Sequence, residues 1–147
     1  FMTAHRPVVG WEQLRNAAWH LIDIAPYRER QLRPGAREAR NRMPSPPSAG
    51  KNGNYFGISY FSSFGCPEPC SFCCSPLVTN RRWKAMPAAR MLDDLQDLKA
   101  RWGFDVVRFQ DANWGVAEKR IKEFCEGMLE RDLRFEWSTT FEVNNLL

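Results

Sequence analysis

Histidine is nearly missing: the 147 residues hold two, His5 and His20, both far upstream of the cysteines in the middle of the chain. A structural zinc site draws four ligands from two separated pairs, and no second pair is present here. No apolar run approaches the roughly 20 residues of a membrane-spanning helix, so a spanning helix is excluded. No secretory signal is visible, and the cysteine count, five, is odd. Both features argue against a disulfide framework and for a reducing, cytoplasmic setting. Residues 1–65 contain no cysteine at all. The chain starts at Phe1, and Val143-Asn144-Asn145-Leu146-Leu147 carries no stop-like tail. The expectation is a piece of a longer protein.

What is present reads as one globular unit. Hydrophobic residues make up 44% and charged residues 26%, with a net charge of +4. The positive excess gathers before residue 43, at Arg28, Arg30, Arg33, Arg37, Arg40 and Arg42. Such a run reads as a solvated linker more readily than as a nucleic-acid surface, so nucleic acid is not expected as a partner. Residues 43–53, Met-Pro-Ser-Pro-Pro-Ser-Ala-Gly-Lys-Asn-Gly, cannot build a core and read as a connection. The domain reading is therefore a linker segment over 1–53 and a folded unit over 54–147.

Periodicity supplies the elements. Leu14, Ala18, Leu21 and Ile22 recur at helical spacing, and Pro26 is expected to break that run. Tyr55 to Phe61 reads as a first strand. Leu77 to Lys84 reads as a polar, basic loop. Pro87 suits a first helical turn; Met91, Leu92, Leu95 and Leu98 carry a helix to about Arg101, which Gly103 ends. Val106, Val107 and Phe109 form a second strand. Ile121, Phe124, Cys125, Met128 and Leu129 trace an amphipathic helix with Cys125 in its core stripe. Phe135 and Trp137 belong to a third strand. The order β-α-β-α-β argues for parallel strands with right-handed crossovers, with the chemistry on the loops at the strand C-terminal ends.

The densest chemistry lies in residues 64–76, Phe-Gly-Cys-Pro-Glu-Pro-Cys-Ser-Phe-Cys-Cys-Ser-Pro. Cys66, Cys70 and Cys73 stand at C-x3-C-x2-C spacing. Three thiolates on one short loop can converge on one centre, and soft sulfur ligands select iron–sulfur or zinc over hard cations. Phe72 can shield such a centre. Cys74 follows at once; adjacent cysteines rarely share a site, so Cys73 is the candidate of the two.

With an aromatic residue before the third cysteine, and Ser59-Tyr60-Phe61-Ser62-Ser63-Phe64-Gly65 leading in, the motif resembles the signature of the radical S-adenosylmethionine (radical SAM) enzymes, in their cobalamin-associated branch. The resemblance covers roughly residues 54–147. A weaker one covers the run Trp19, Leu21, Asp23 and Tyr27. It implies an α/β fold: a partial (β/α) barrel of the radical SAM type, holding the first three parallel strands and two helices after a helical or irregular linker. It also implies a [4Fe–4S] cluster ligated by Cys66, Cys70 and Cys73, with S-adenosylmethionine on the fourth iron and reductive cleavage starting radical chemistry on a small-molecule substrate. An electron donor such as flavodoxin or ferredoxin would follow, and cobalamin on a domain outside this chain. No Asp-x-His-x-x-Gly loop is present.

The family's Gly-Gly-Glu-like motif is replaced by Gln110-Asp111-Ala112-Asn113. By resemblance Asp111 and Asn113, with Phe72, are the cofactor-binding candidates; a helix cap is the other reading of Asp111. Glu142 and Asn144 are weaker candidates for polar atoms of the cofactor, and Arg81, Arg82 and Lys84 for a carboxylate or phosphate. No catalytic residue is assigned. Two alternatives stay open: an RNA methylthiotransferase-like enzyme, which would need cysteines upstream of residue 65, and a non-catalytic zinc-binding module.

Overall fold

The computed structural model describes residues 9–14, 16–33 and 55–146. Its longest element shows why the chain folds. In helix Ala88–Trp102 the side chains of Met91, Leu92, Leu95, Leu98 and Trp102 are all buried. They fall three or four residues apart and share one face. Each such side chain contributes roughly 1.5–3 kcal/mol by leaving water. Pro87 stands at the N-cap, where its missing N–H costs no intrahelical bond. Gly103 stops the helix in the left-handed conformation, φ 59°, and its N–H returns to Lys99 O.

We number the elements in chain order: α1 Ala25–Leu32, β1 Gly57–Tyr60, β2 Ser63–Phe64, α2 Ser75–Thr79, β3 Lys84–Ala85, α3 Ala88–Trp102, β4 Val106–Phe109, α4 Glu118–Glu130 and β5 Glu136–Ser138. Strands β1, β4 and β5 form one parallel sheet in that order, with β4 central. Gly57, Val106 and Glu136 share one register row, and Ser59, Arg108 and Ser138 another. Strands β2 and β3 form a separate antiparallel pair.

Helices α3 and α4 cover one face of the parallel sheet. They approach so closely at Gly127 that a Cβ there would stand 2.3 Å from a Leu92 methyl. The core between helices and sheet is largely aromatic. Phe109 lies 5.3–6.0 Å, ring centre to ring centre, from Tyr60, Trp114, Phe124 and Trp137. Edge-on packing of this kind adds to the area term.

Helix α1 is tied to the sheet by two side chains. Gln31 donates to Gly57 O at 2.9 Å and accepts from Gly57 N at 3.0 Å, occupying backbone groups on the outer edge of β1. Arg28 donates to Trp102 O and to Gly103 O and lies over the Phe56 ring.

Four expectations need correction. The partial (β/α) barrel is not formed. The structure is a small, open three-stranded parallel sheet with flanking helices, in which β1 and β5 each pair on one side with β4. Closure requires the last strand to pair with the first, which these three strands do not do. The helix expected around Leu14–Ile22 is replaced by two 3-10 turns, Trp11–Gln13 and Trp19–Leu21. Pro26 opens α1 rather than breaking a helix, with the Asp23 carboxylate accepting from Ala25 N at 3.0 Å; proline is tolerated in a first turn because no intrahelical bond is lost there. Residues 77–84 are not a continuous loop, since α2 and β3 occupy part of them. Much of the expected linker, 34–54, lies outside the described residues, as does His5. No described helix is long and apolar enough to cross a membrane.

Candidate site at the strand C-terminal ends

The C-terminal ends of β1 and β4 meet in a buried polar knot. Beyond Tyr60 the chain runs through Phe61 into Ser62 and Ser63; beyond Phe109 it runs through Gln110 into Asp111. Ser62 is 0% exposed and Asp111 3%. The Asp111 carboxylate accepts from Ser62 N at 3.2 Å, from Ser62 Oγ at 3.0 Å, and from Ser63 Oγ.

The Ser62 hydroxyl is saturated. It donates its one proton to Asp111 and accepts from Trp114 Nε1 at 3.1 Å and from Arg120 Nη2. A hydroxyl has one donor and two lone pairs, and all three are engaged. Arg120 reaches the knot from α4 and also donates from Nε to Met86 O at 2.9 Å. Its guanidinium stands over the Trp114 ring at 5.5 Å. Burial pulls its pKa below the ordinary arginine range, while the Asp111 charge opposes that shift. Arg120 and Asp111 thus compensate each other through a shared serine rather than by direct pairing.

The knot is the floor under the cysteine loop. Ser63 and Phe64 pair with Ala85 and Lys84, and Gly65 turns the chain at φ 83°. A Cβ at Gly65 would meet Arg82 O at 1.9 Å, so the close approach and the positive φ both demand glycine. Cys66, Cys70 and Cys73 are half-buried; Cys74 is exposed and precedes α2. Cys73 N donates to Cys70 O at 3.1 Å, closing a turn, and Arg81 Nε donates to Pro67 O at 2.9 Å. Phe72 is 91% exposed.

Asn113 does different work from Asp111. Its Oδ1 accepts from Gly115 N at 3.1 Å and Glu142 N at 3.3 Å, and its Nδ2 donates to Asn145 at 2.8 Å. It fastens the loop after β4 to the segment after β5. Glu142 is turned onto Asn144, accepting from its backbone and side-chain amides. Arg82 and Lys84 line a cavity of about 320 Å³ together with Trp11 and Phe64. Cys125 is half-buried against the core, where burial raises its thiol pKa, whereas Leu129 in the same expected stripe is exposed.

Tested against a [4Fe–4S] cluster, these residues do not fit. Among the described residues no three His, Cys, Asp or Glu side chains are gathered so that they could hold a metal ion. The [4Fe–4S] cofactor expected on the cysteine loop is corrected accordingly. The flavodoxin or ferredoxin partner rested on it and goes with it. The zinc-binding alternative likewise finds no ligand set among the described residues.

The knot's other members carried weaker signals. Arg120 stands three residues after Ala117 and four before Phe124, at a core-facing position of α4 where an apolar side chain is the ordinary choice. Ser62-Ser63 read as part of a motif rather than as hydrogen-bonding partners.

No family model matches the chain. Three known proteins resemble it in sequence. An uncharacterized methyltransferase of Pyrococcus horikoshii is 28% identical over 89 residues, covering 60% of this chain and 19% of that protein. The bacteriochlorophyllide d C-12(1)-methyltransferase of Chlorobaculum tepidum is 31% identical over 91 residues, covering 60% and 20%. The anaerobic magnesium-protoporphyrin IX monomethyl ester cyclase of Rubrivivax gelatinosus is 28% identical over 83 residues, covering 56% and 15%. The chain spans about a fifth or less of the length of these relatives. Their names speak of methyl transfer and of cyclisation, and none speaks of an iron–sulfur cluster or a radical. Together with the absence of a gathered ligand set, this overturns the radical SAM assignment, its RNA methylthiotransferase-like variant and the cobalamin expectation.

Proposed function

We propose that the chain is a segment of an enzyme of the methyltransferase kind, acting on a small-molecule methyl acceptor. S-adenosylmethionine, whose sulfonium carries a transferable methyl group, is the donor this reading assigns. The observation that carries it is the 31% identity over 91 residues to a bacteriochlorophyllide methyltransferase, supported by the match to a second methyltransferase.

The acceptor class we assign is a planar macrocycle. Bacteriochlorophyllide and magnesium-protoporphyrin, named in two relatives, are both tetrapyrroles. Exposed aromatic rings suit such a ligand: Phe61, Phe64 and Phe72 are all more than half exposed, and Trp11 stacks on Phe64 at 5.3 Å. Flat rings bury large area against flat rings. On this reading Phe72 touches the ligand. Asp111 and Asn113 are positioning residues that hold the loops beneath it.

The test is anaerobic incubation of the protein, in its complete reading frame, with methyl-labelled S-adenosylmethionine and a magnesium tetrapyrrole. Mass spectrometry should find one labelled methyl group on the macrocycle. Donor consumption with no labelled acceptor would sink the reading. A second reading, ring closure, is favoured only by the cyclase match; its product would carry a new ring and no label.

A further inference from the structure

Aromatic rings and cations meet beside the cysteine loop. Phe64 on β2 and Lys84 on β3 are direct register partners. Side chains so opposed rise from one face, with Cβ atoms about 5 Å apart. The Trp11 ring lies 5.3 Å from Phe64 and 7° from parallel; Phe61 lies 6.3 Å from Phe64 at 14°. Trp11 is anchored, its carbonyl accepting from Arg90 on α3. Phe61 and Phe64 nevertheless leave more than half their surface open to solvent. A wall of this kind takes a flat ligand face-on or edge-on.

Arg82 and Lys84 line the same cavity of about 320 Å³ as Trp11 and Phe64. Both cations are exposed. Among the described residues neither side chain has a hydrogen bond or ion pair, and none of the residues in the cavity wall is acidic. Arg81 differs, because its Nε is spent on Pro67 O. The backbone that carries the two cations is fixed before any ligand arrives. Asn80 and Arg81 both take left-handed φ, 51° and 55°. Arg81 N donates to Pro76 O at 2.9 Å and Arg82 N to Thr79 O at 3.0 Å. Non-glycine residues persist in that region only where their surroundings hold them.

We propose that this cavity is a carboxylate pocket at the edge of an aromatic wall: a flat ring packs on Trp11 and Phe64, and Arg82 and Lys84 hold its carboxylate. The guanidinium of Arg82 presents two parallel N–H donors that match the two carboxylate oxygens, and Lys84 adds a point charge. Phosphate is ordinarily gathered at a helix N-terminal end, whereas Val78, Thr79 and Asn80 bring the C-terminal end of α2 to this cavity. At this volume the cavity is near the lower limit of about 300–1,000 Å³ for small-molecule sites, so it takes one edge of a macrocycle. The inference rests on the proposed function only in taking the flat ring to be the methyl acceptor.

The test titrates the protein, in its complete reading frame, with coproporphyrin, a macrocycle ringed with carboxylates, and separately with a porphyrin ringed with N-methylpyridinium cations. Absorbance of the macrocycle reads the binding. Coproporphyrin should bind saturably and about tenfold more tightly than the cationic ring. Arg82→Gln and Lys84→Gln should each weaken it about fivefold, the loss of one charge-assisted contact. Lys119→Gln, at an exposed position on α4, should leave it unchanged. Replacing both cavity cations, Arg82→Glu with Lys84→Glu, should reverse the preference between the two macrocycles. An unreversed preference, or equal weakening by Lys119→Gln, would overturn the site. Tighter binding of flavin mononucleotide, a flat ring bearing a phosphate, would overturn the carboxylate assignment. No methyl transfer enters the measurement, so its failure and that of the proposed function are separable.

Discussion

Tyr60, Val107, Phe109 and Trp137 look toward the helices; Ser59, Arg108 and Ser138, one residue away on the same three strands, look the other way. The first set is ring against ring, without charge. The second is two hydroxyls around a cation. The apolar packing resides on one face, and the polar groups on the other. The period-two geometry of a strand lets both be written into one stretch of sequence, so substitutions on neighbouring residues should have unlike consequences.

The largest effect should come from the helix face. Phe109→Ala removes a buried ring with four aromatic neighbours and should cost about 3–5 kcal/mol, read as a drop in the urea midpoint. An effect below about 1 kcal/mol would mean that the ring cluster is not the core. Next comes the knot at the strand ends. Ser62→Ala strips a partner from Asp111, Arg120 and Trp114 at once and should cost about 1–3 kcal/mol, measured the same way. A silent substitution there would show that the three groups find other partners. Arg108→Gln, on the opposite face, should cost less than Ser62→Ala, at most about 1 kcal/mol, measured the same way. A large loss of stability would erase the contrast between faces.

The mildest test is spectroscopic. Burial, and the Asp94 carboxylate that accepts from Tyr60 Oη at 3.0 Å, push the Tyr60 pKa well above its ordinary value. The protonated form is favoured in the fold, so this contribution is complete below about pH 10 and is lost as pH rises beyond it. Of the three tyrosines, Tyr60 should stay protonated by ultraviolet titration until the chain unfolds. Early ionisation of all three would deny the burial of this face.

Helices α3 and α4 were legible because their burial follows one period over three or more turns: Met91, Leu92, Leu95 and Leu98 needed no tertiary information to be placed. Strand β4 was legible for a similar reason. The 3-10 turns around Trp11 and Trp19 were not, because Leu14, Ala18, Leu21 and Ile22 match a helical period without packing against one surface; Leu14, Leu21 and Ile22 are exposed. The barrel was misread because the order of elements is compatible with open and closed sheets alike, and closure is a property of pairing rather than of order. At the site, Asp111 was singled out, but its partners Ser62 and Arg120 come from distant elements. Only the meeting of β1, β4 and α4 discloses that Asp111 spends its lone pairs inside the protein. The cysteine spacing was conspicuous, but spacing along the chain does not by itself gather side chains in space, and no metal-holding group is found among the described residues.

Gly65 has a consequence for how this chain can change over time. Because a single methyl group there would collide with the carbonyl of Arg82, the segment before the cysteines and the segment after α2 are geometrically interlocked. Neither can drift by insertion or side-chain growth without the other moving in step. The loop's contents are exchangeable in principle, but its hinge pin is not.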